Sequence, residues 1–293
     1  MNAALLEKIK ALQLNNLVIL RSCRSAYESK LLARLAEGRT RVDMAQLKLR
    51  IQARRGAAGL IQSLQLPVYV ENLQYTPKLL GQLAELPPGS VLANCRQSCV
   101  LEQEGAGLPA VKFVILPLAD SQTVLQATKT QTEEALWQQL VQGKWRGEQG
   151  MGYEEYLRET LQADIVEVTT VRDGFKFFDY LLAAAPMAGE AVDFVQLAQA
   201  ATIKEPKAKN WLKVLLGAGL CYLQLQKQES LPRLYFRDTG LLCHLLGLGD
   251  AQAAAHSELR QQLLQNFYMN QWREAYLNQG SQPPLICPVV YNF

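Results

Sequence analysis

Histidine is almost missing from this chain: His244 and His256 are the two among 293 residues. A histidine-rich metal centre is thereby excluded, and a histidine-based triad would have to draw on that pair. His244 lies in GLLCHLLGL, an apolar helical pattern that reads as a packed or half-exposed helix position rather than a base. Long apolar runs are missing as well. No stretch reaches the roughly eighteen residues a membrane helix needs, and the polar N-terminus has no secretory hydrophobic region. No membrane partner and a cytoplasmic location are therefore expected. The six cysteines include no CxxC pair, so neither a zinc ribbon nor a disulfide framework is indicated, and free thiols are expected. Cys95 and Cys99, four apart, could share a helix face, but with no histidine nearby they read as core residues rather than metal ligands. An excess of one charge is absent too: a formal net charge of +3 is too small to imply a nucleic-acid partner.

What is present is an ordinary globular composition, 49% hydrophobic and 19% charged, which argues against general disorder, and a length that allows two domains. Residues 5–14 (LLEKIKALQL) have helical spacing. Short continuous apolar runs at 17–20 (LVIL), 66–73 (LPVYVENL), 90–95 (SVLANC) and 111–118 (VKFVILPL) read as strands covered on both faces, separated by helices such as SKLLARLAEG and KLLGQLAEL. Strands alternating with helices in this way predict a parallel α/β sheet. From about residue 130 to 228 helical periodicity dominates, with a polar linker at 142–152. Residues 191–226 then give a short helix, a turn, a second helix from Pro206 and the strand CYLQLQ, a winged-helix pattern. Pro206 suits a first helical turn, and Gly217 and Gly219 suit its end. A last strand is expected around 285–290.

Several segments in order carry a resemblance. LPRLYFRDTGLLCHLLGL (231–248), YLRETLQADIVEV (156–168), PVYVENLQYTPKLL (67–80), VILPLA (114–119) and LLQNFYMNQW (263–272) are similar to the corresponding elements of a large prokaryotic family of predicted AAA+ (P-loop) ATPases. In that family the ATPase domain precedes a winged-helix-containing domain of unknown function, and a nuclease-like domain usually follows. The resemblance implies an α/β P-loop NTPase-like (AAA+) domain with a parallel sheet over residues 1–147. A mainly α winged-helix domain over 148–250 would follow it. Residues 251–293 would be the remnant of the start of a nuclease-like domain, too short for nuclease activity to be carried over.

A working P-loop needs GxxxxGK[ST], whose glycines let the backbone wrap the phosphates, whose lysine neutralises them and whose hydroxyl ligates magnesium. In RSCRSAYESKLL that spacing falls on Ser22, Tyr27, Glu28 and Ser29. Tyr27 brings a ring where the backbone should approach a phosphate. Glu28 turns an attraction of about 4 kcal/mol, at 4 Å and an effective dielectric near 20, into a comparable repulsion. The acidic pair expected after the next strand falls on Glu71 and Asn72, the family's Arg-Asp pair becomes Ala163 and Asp164, and 106–111 (AGLPAV) holds no arginine finger. The degenerate nucleotide-site positions are thus Ser22, Tyr27, Glu28, Ser29, Glu71 and Asn72, with no catalytic residue, metal or cofactor expected. The plainer alternative for the loop is a surface pair between Arg24 and Glu28 on one helix, with Tyr27 capping the sheet edge. A divergent ATPase using Ser29 and Glu71 with Mg-ATP is the competing hypothesis.

The remaining functional surface is the second helix of the winged-helix pattern, where Lys207, Lys209, Asn210 and Lys213, with Lys204 in the turn before it, would face outward and Trp211, Leu212, Leu215 and Leu216 inward. Lysines at this density suit non-specific DNA contact, but the helix lacks the arginine that most often reads guanine, so a protein-interaction or structural role is expected ahead of direct DNA binding. A second basic stretch, 38–56, carries Arg39, Arg41, Lys48, Arg50, Arg54 and Arg55 and reads as a helix with one charged face or a cleft lining. A non-catalytic AAA+-like binding or scaffold protein, with DNA or a protein as partner, is the expectation to be tested.

Overall fold

Short apolar runs bounded by breakers become strands because burial on both faces leaves no room for polar alternation. In a computed structural model describing residues 3–119, 132–144, 152–227, 229–284 and the backbone of 286–287, four such strands and one polar edge strand form one parallel sheet. These are β1 (Leu17–Arg21), β2 (Thr40–Asp43), β3 (Val68–Glu71), β4 (Val91–Cys95) and β5 (Val111–Ile115), in the order β2-β3-β4-β1-β5. Alternate side chains serve opposite faces. Helices α1 (Ala3–Gln13) and α2 (Ala26–Leu35) pack Leu5, Leu6, Ile9, Leu31 and Leu35 against Val18, Leu20, Tyr69 and Leu92. The opposite face, with Ile19, Val70 and Ala93, takes Leu60, Leu80, Leu83 and Leu101 from α4 (Ala57–Gln62), α5 (Leu80–Ala84) and α6 (Cys99–Glu104). The chain leaves central β1 for the far edge, returns strand by strand to β4, and then crosses to β5. The C-terminal end of β1 is thus where the strand order reverses, the position at which open α/β sheets place ligands.

Three local expectations change. The basic stretch 38–56 is not one helix: it begins with β2, followed by α3 (Leu47–Arg55), which has no buried residue. Helix α2 starts at Ala26 rather than Ser29, and it ends at Leu35, three residues before Gly38 with its φ of 73°. Cys95 lies in β4 and Cys99 opens α6, so they share no helix face.

The second half is mainly helical. Helix α7 (Glu133–Gln142) is followed by α8 (Tyr153–Glu159), which runs into a π-helical segment (Thr160–Val166), and then by α9 (Gly174–Ala184). Helices α10 (Phe194–Ala200) and α11 (Glu205–Gly217) form a pair, with the Asp193 side chain accepting from Val195 N and Gln196 N to start the first and Pro206 in the first turn of the second. A hairpin of β6 (Cys221–Gln226) and β7 (Arg233–Phe236) follows. Trp211 is edge-on to Phe177 and Tyr180, at 5.2 and 5.6 Å between ring centroids, and these rings anchor the core of this half. Trp211, Leu212 and Leu215 are buried, as the helical spacing predicts, while Leu216 is half-buried. Helices α12 (Thr239–Leu245), α13 (Ala251–Ala255) and α14 (Arg260–Asn278) complete the half. The two-residue strand β8 (Ile286–Cys287) pairs with β6, where a last strand was expected. Most of the expected linker at 142–152 and the other positions of 285–290 lie outside the described residues. Among the described residues no helix is long and apolar enough to cross a membrane.

Helix α14, in the segment expected to open a nuclease-like domain, buries polar side chains four residues apart on one face. Asn266 accepts from Phe236 N and donates to Phe236 O, at 2.8 and 2.9 Å. Asn270 donates to Phe236 O at 2.9 Å. Glu274 Oε2 accepts from Leu118 N at 2.8 Å, and Asn278 donates to Ala119 O at 2.9 Å. Each satisfies backbone that the sheet ladders leave open, for which an unpaired buried group would be costly. The helix therefore bonds to both halves of the chain.

Candidate functional site

The loop leaving β1, residues 22–25, is anchored to the sheet where Ser22 N donates to Cys95 O at 3.0 Å. It turns through Arg24, whose φ of 56° is left-handed, and enters α2 through a capping box. Ser25 Oγ accepts from Glu28 N at 3.1 Å. In return Glu28 Oε2 accepts from Ser25 N at 3.2 Å and also from Cys23 N at 2.7 Å. The Ser-x-x-Glu spacing explains why the helix starts three residues early: the two side chains satisfy N–H groups that the first turn leaves open. Glu28 is fully buried. Burial pushes its carboxyl up to about 7, against the pull of the Arg237 charge and the loop N–H groups. Two loop amides thus already donate to a carboxylate of the chain itself.

The other expected nucleotide positions are also engaged within the fold. Ser29 Oγ donates to Ser25 O at 3.0 Å, one turn back in its own helix. Tyr27 is half-buried beside it. Glu71, at the end of β3, lies 3.8 Å from Arg41 across to β2, and burial raises its carboxyl. Asn72 is left-handed at φ 56°. Its N–H donates to Asn94 Oδ1 and its Nδ2 to Asp43 Oδ1, both at 2.8 Å.

The expected pair between Arg24 and Glu28 does not form. Arg24 lies in the loop before the helix, not one turn from Glu28 upon it. It reaches into the π-helical segment instead, with Nε 3.0 Å from Asp164 Oδ2 and Nη1 2.8 Å from Glu159. Asp164 is buried, which raises its carboxyl against the opposing charge of Arg24. A wide π turn is a frequent device for presenting such a side chain. Asp164 was expected as the survivor of an Arg-Asp pair; its arginine comes from the loop of the other half.

Sequence reasoning missed Arg237. It stands in the quoted segment YFRDTGLL, and that segment is its only sequence signal. The side chain is buried, with Nη1 2.8 Å from Cys23 Sγ and Nη2 donating to Leu116 O at 2.8 Å and lying 3.9 Å from Glu274. One guanidinium therefore ties the loop, the end of β5 and α14 together. Burial pushes the Cys23 thiol up to about 12, which disfavours the thiolate. The neighbouring Asp238 caps α12 by accepting from Leu241 N and also accepts from Lys144 N and the Tyr153 hydroxyl. Gly240 is required beside it, since a Cβ there would run into the Tyr153 hydroxyl and Val141 O. The segment is a structural joint.

Lys204, Lys207, Lys209, Asn210 and Lys213 are all exposed along the helix pair, as predicted. Lys207 stacks 4.4 Å from the Trp211 ring, and Lys209 pairs with Glu205 at 2.6 Å. In the other basic stretch Arg50 pairs with Glu167 and stacks on Tyr75, while Arg39 donates to Gly89 O and Ser90 O.

A family described as a domain of unknown function (DUF8612) matches residues 139–252. The match includes Asp164, the exposed lysines and Arg237 but leaves out the loop. No curated protein matches the chain.

Proposed function

We propose that this chain is a non-catalytic binding or scaffold protein of AAA+-like build, in which a P-loop by descent is closed by its own side chain. The observation that carries this reading is Glu28 Oε2 held between the N–H groups of Cys23 and Ser25. A P-loop uses such N–H groups to cradle phosphates, and a buried carboxylate among them repels a second anion. The engagement of Ser29 with Ser25 O, and of Asn72 with Asp43, supports the same reading. Titration calorimetry with Mg-ATP is expected to give no saturable binding at millimolar nucleotide. Micromolar binding that Ser29→Ala abolishes would establish the divergent ATPase instead.

On this reading α10, α11 and the β6–β7 hairpin are a winged helix, and partners dock on its lysine face. Exposure of Lys207, Lys209, Asn210 and Lys213 on α11, with Lys204 just before it, favours a polyanion such as DNA. A mobility-shift assay should then show retardation that weakens steeply with salt and falls in the Lys207→Ala/Lys213→Ala double variant. No retardation at low salt would leave a protein partner as the reading.

A further inference from the structure

A cavity of about 140 Å³ lies at the C-terminal end of β1, beside the loop, and three arginines line it: Arg21, Arg237 and Arg273. No carboxylate is among its lining residues. We propose that this cavity is a binding site for a small oxyanion: inorganic phosphate or sulfate, or the phosphoryl group of a small metabolite.

Arg273 carries the inference. It is 7% exposed, and its guanidinium lies 4.4 Å from the centre of the Tyr222 ring. Among the described residues it forms no ion pair, and its Nε is buried with no hydrogen-bond partner. The Nε of Arg237 is in the same condition. A buried, unpaired guanidinium is costly unless an anion meets it. The cost shows in its titration: burial, then the like charge of Arg237, holds Arg273 down at about 10. Of the carboxylates of this region, Glu28 and Glu274 accept from backbone N–H groups, Glu274 also lies 3.9 Å from Arg237, and Glu102 pairs with Arg21 at 3.1 Å, so that of the three lining arginines Arg273 is the one without an ion pair among the described residues. The carbonyls ending α11 nearby are also taken, Leu216 O by Arg21 and Gly217 O by Ser98 N. They present no free negative end to oppose an anion. Planar guanidinium forks suit tetrahedral oxyanions. The volume falls below the roughly 300–1,000 Å³ of pockets for drug-sized ligands, which suits a single phosphoryl group rather than an enclosed nucleotide.

Calorimetry on the full chain, with sodium phosphate and sodium sulfate titrated at ionic strength matched by chloride, should give saturable binding of one anion per chain. Arg273→Met is expected to weaken it at least tenfold, the loss of about one charged hydrogen bond, with Arg273→Lys intermediate. If Arg273→Met fails to fold, Arg21→Met, at the half-buried rim, carries the same comparison. Methyl phosphate separates the two sources: binding as tight as phosphate indicates a phosphomonoester, and its exclusion indicates the free ion. Absence of saturable binding by phosphate and sulfate would overturn the proposal, as would binding that neither arginine variant alters.

Discussion

Glu28→Ala should lower folding stability by about 3 kcal/mol, measured by urea unfolding at pH 6. The substitution strands the N–H groups of Cys23 and Ser25, both of which donate to this carboxylate, and an unsatisfied buried donor costs roughly 1–3 kcal/mol. It also removes the reciprocal half of a capping box. Glu28→Gln retains a carbonyl acceptor in the same place and should cost about 1 kcal/mol. Glu28→Lys, the residue the resembled family carries there, would bury a second cation beside Arg237 and should abolish cooperative folding. A loss under about 0.5 kcal/mol for Glu28→Ala would show that the loop does not depend on its carboxylate. The same residue sets a pH dependence. Its folded-state carboxyl lies at about 7, above the ordinary 4.5, so the folded chain holds the proton more tightly than the unfolded one. The stability it contributes is complete below pH 4.5 and is lost as the pH rises through 7. Glu28→Gln, which cannot titrate, should flatten the stability profile across that window.

Arg237→Met should cost more, about 3–5 kcal/mol, because truncating one member of a buried charge cluster leaves the others uncompensated. Its guanidinium serves Leu116 O, Cys23 Sγ and the charge of Glu274 at once, and methionine fills much of its volume while offering none of these. Combining it with Glu28→Gln tests the link directly. Above pH 7, where Glu28 is ionised, its replacement by glutamine removes one of the charges that Arg237 faces, so there the double variant should be more stable than the sum of the single losses by about 1 kcal/mol. Strict additivity would mean that the segment YFRDTGLL and the loop are stabilised independently. A loss below about 1 kcal/mol for Arg237→Met would show that this joint is peripheral.

The α/β half was largely legible along the chain. LVIL, SVLANC and the first part of VKFVILPL became β1, β4 and β5, because a continuous apolar run can be satisfied only between two covered faces. The missed strand β2 reads TRVD and has no buried residue; an edge strand with two charges in four gives no apolar signal. The capping box was written in the sequence as Ser25-x-x-Glu28, a contact spanning three residues. Local signals of this kind, caps, breakers and hydrophobic period, act over one helical turn or one strand and so can be read without a fold.

The charges could not be read this way. Arg24 finds Asp164 140 positions away, and Arg237 finds Cys23 214 positions away. Arg273 meets the cavity only because the polar stripe of α14, Asn266, Asn270, Glu274 and Asn278, docks on the backbone of β7 and of residues 118–119. The sign of a side chain is visible in the chain, but whether it pairs, caps or stays buried without a partner depends on which distant element lies within hydrogen-bonding reach. Residue order thus settled which segments became strands and helices. Tertiary packing decided that Glu28 would be buried facing the charge of Arg237 and that three arginines would face one cavity beside the loop, because Coulomb and hydrogen-bond energies depend on distance in space rather than along the chain.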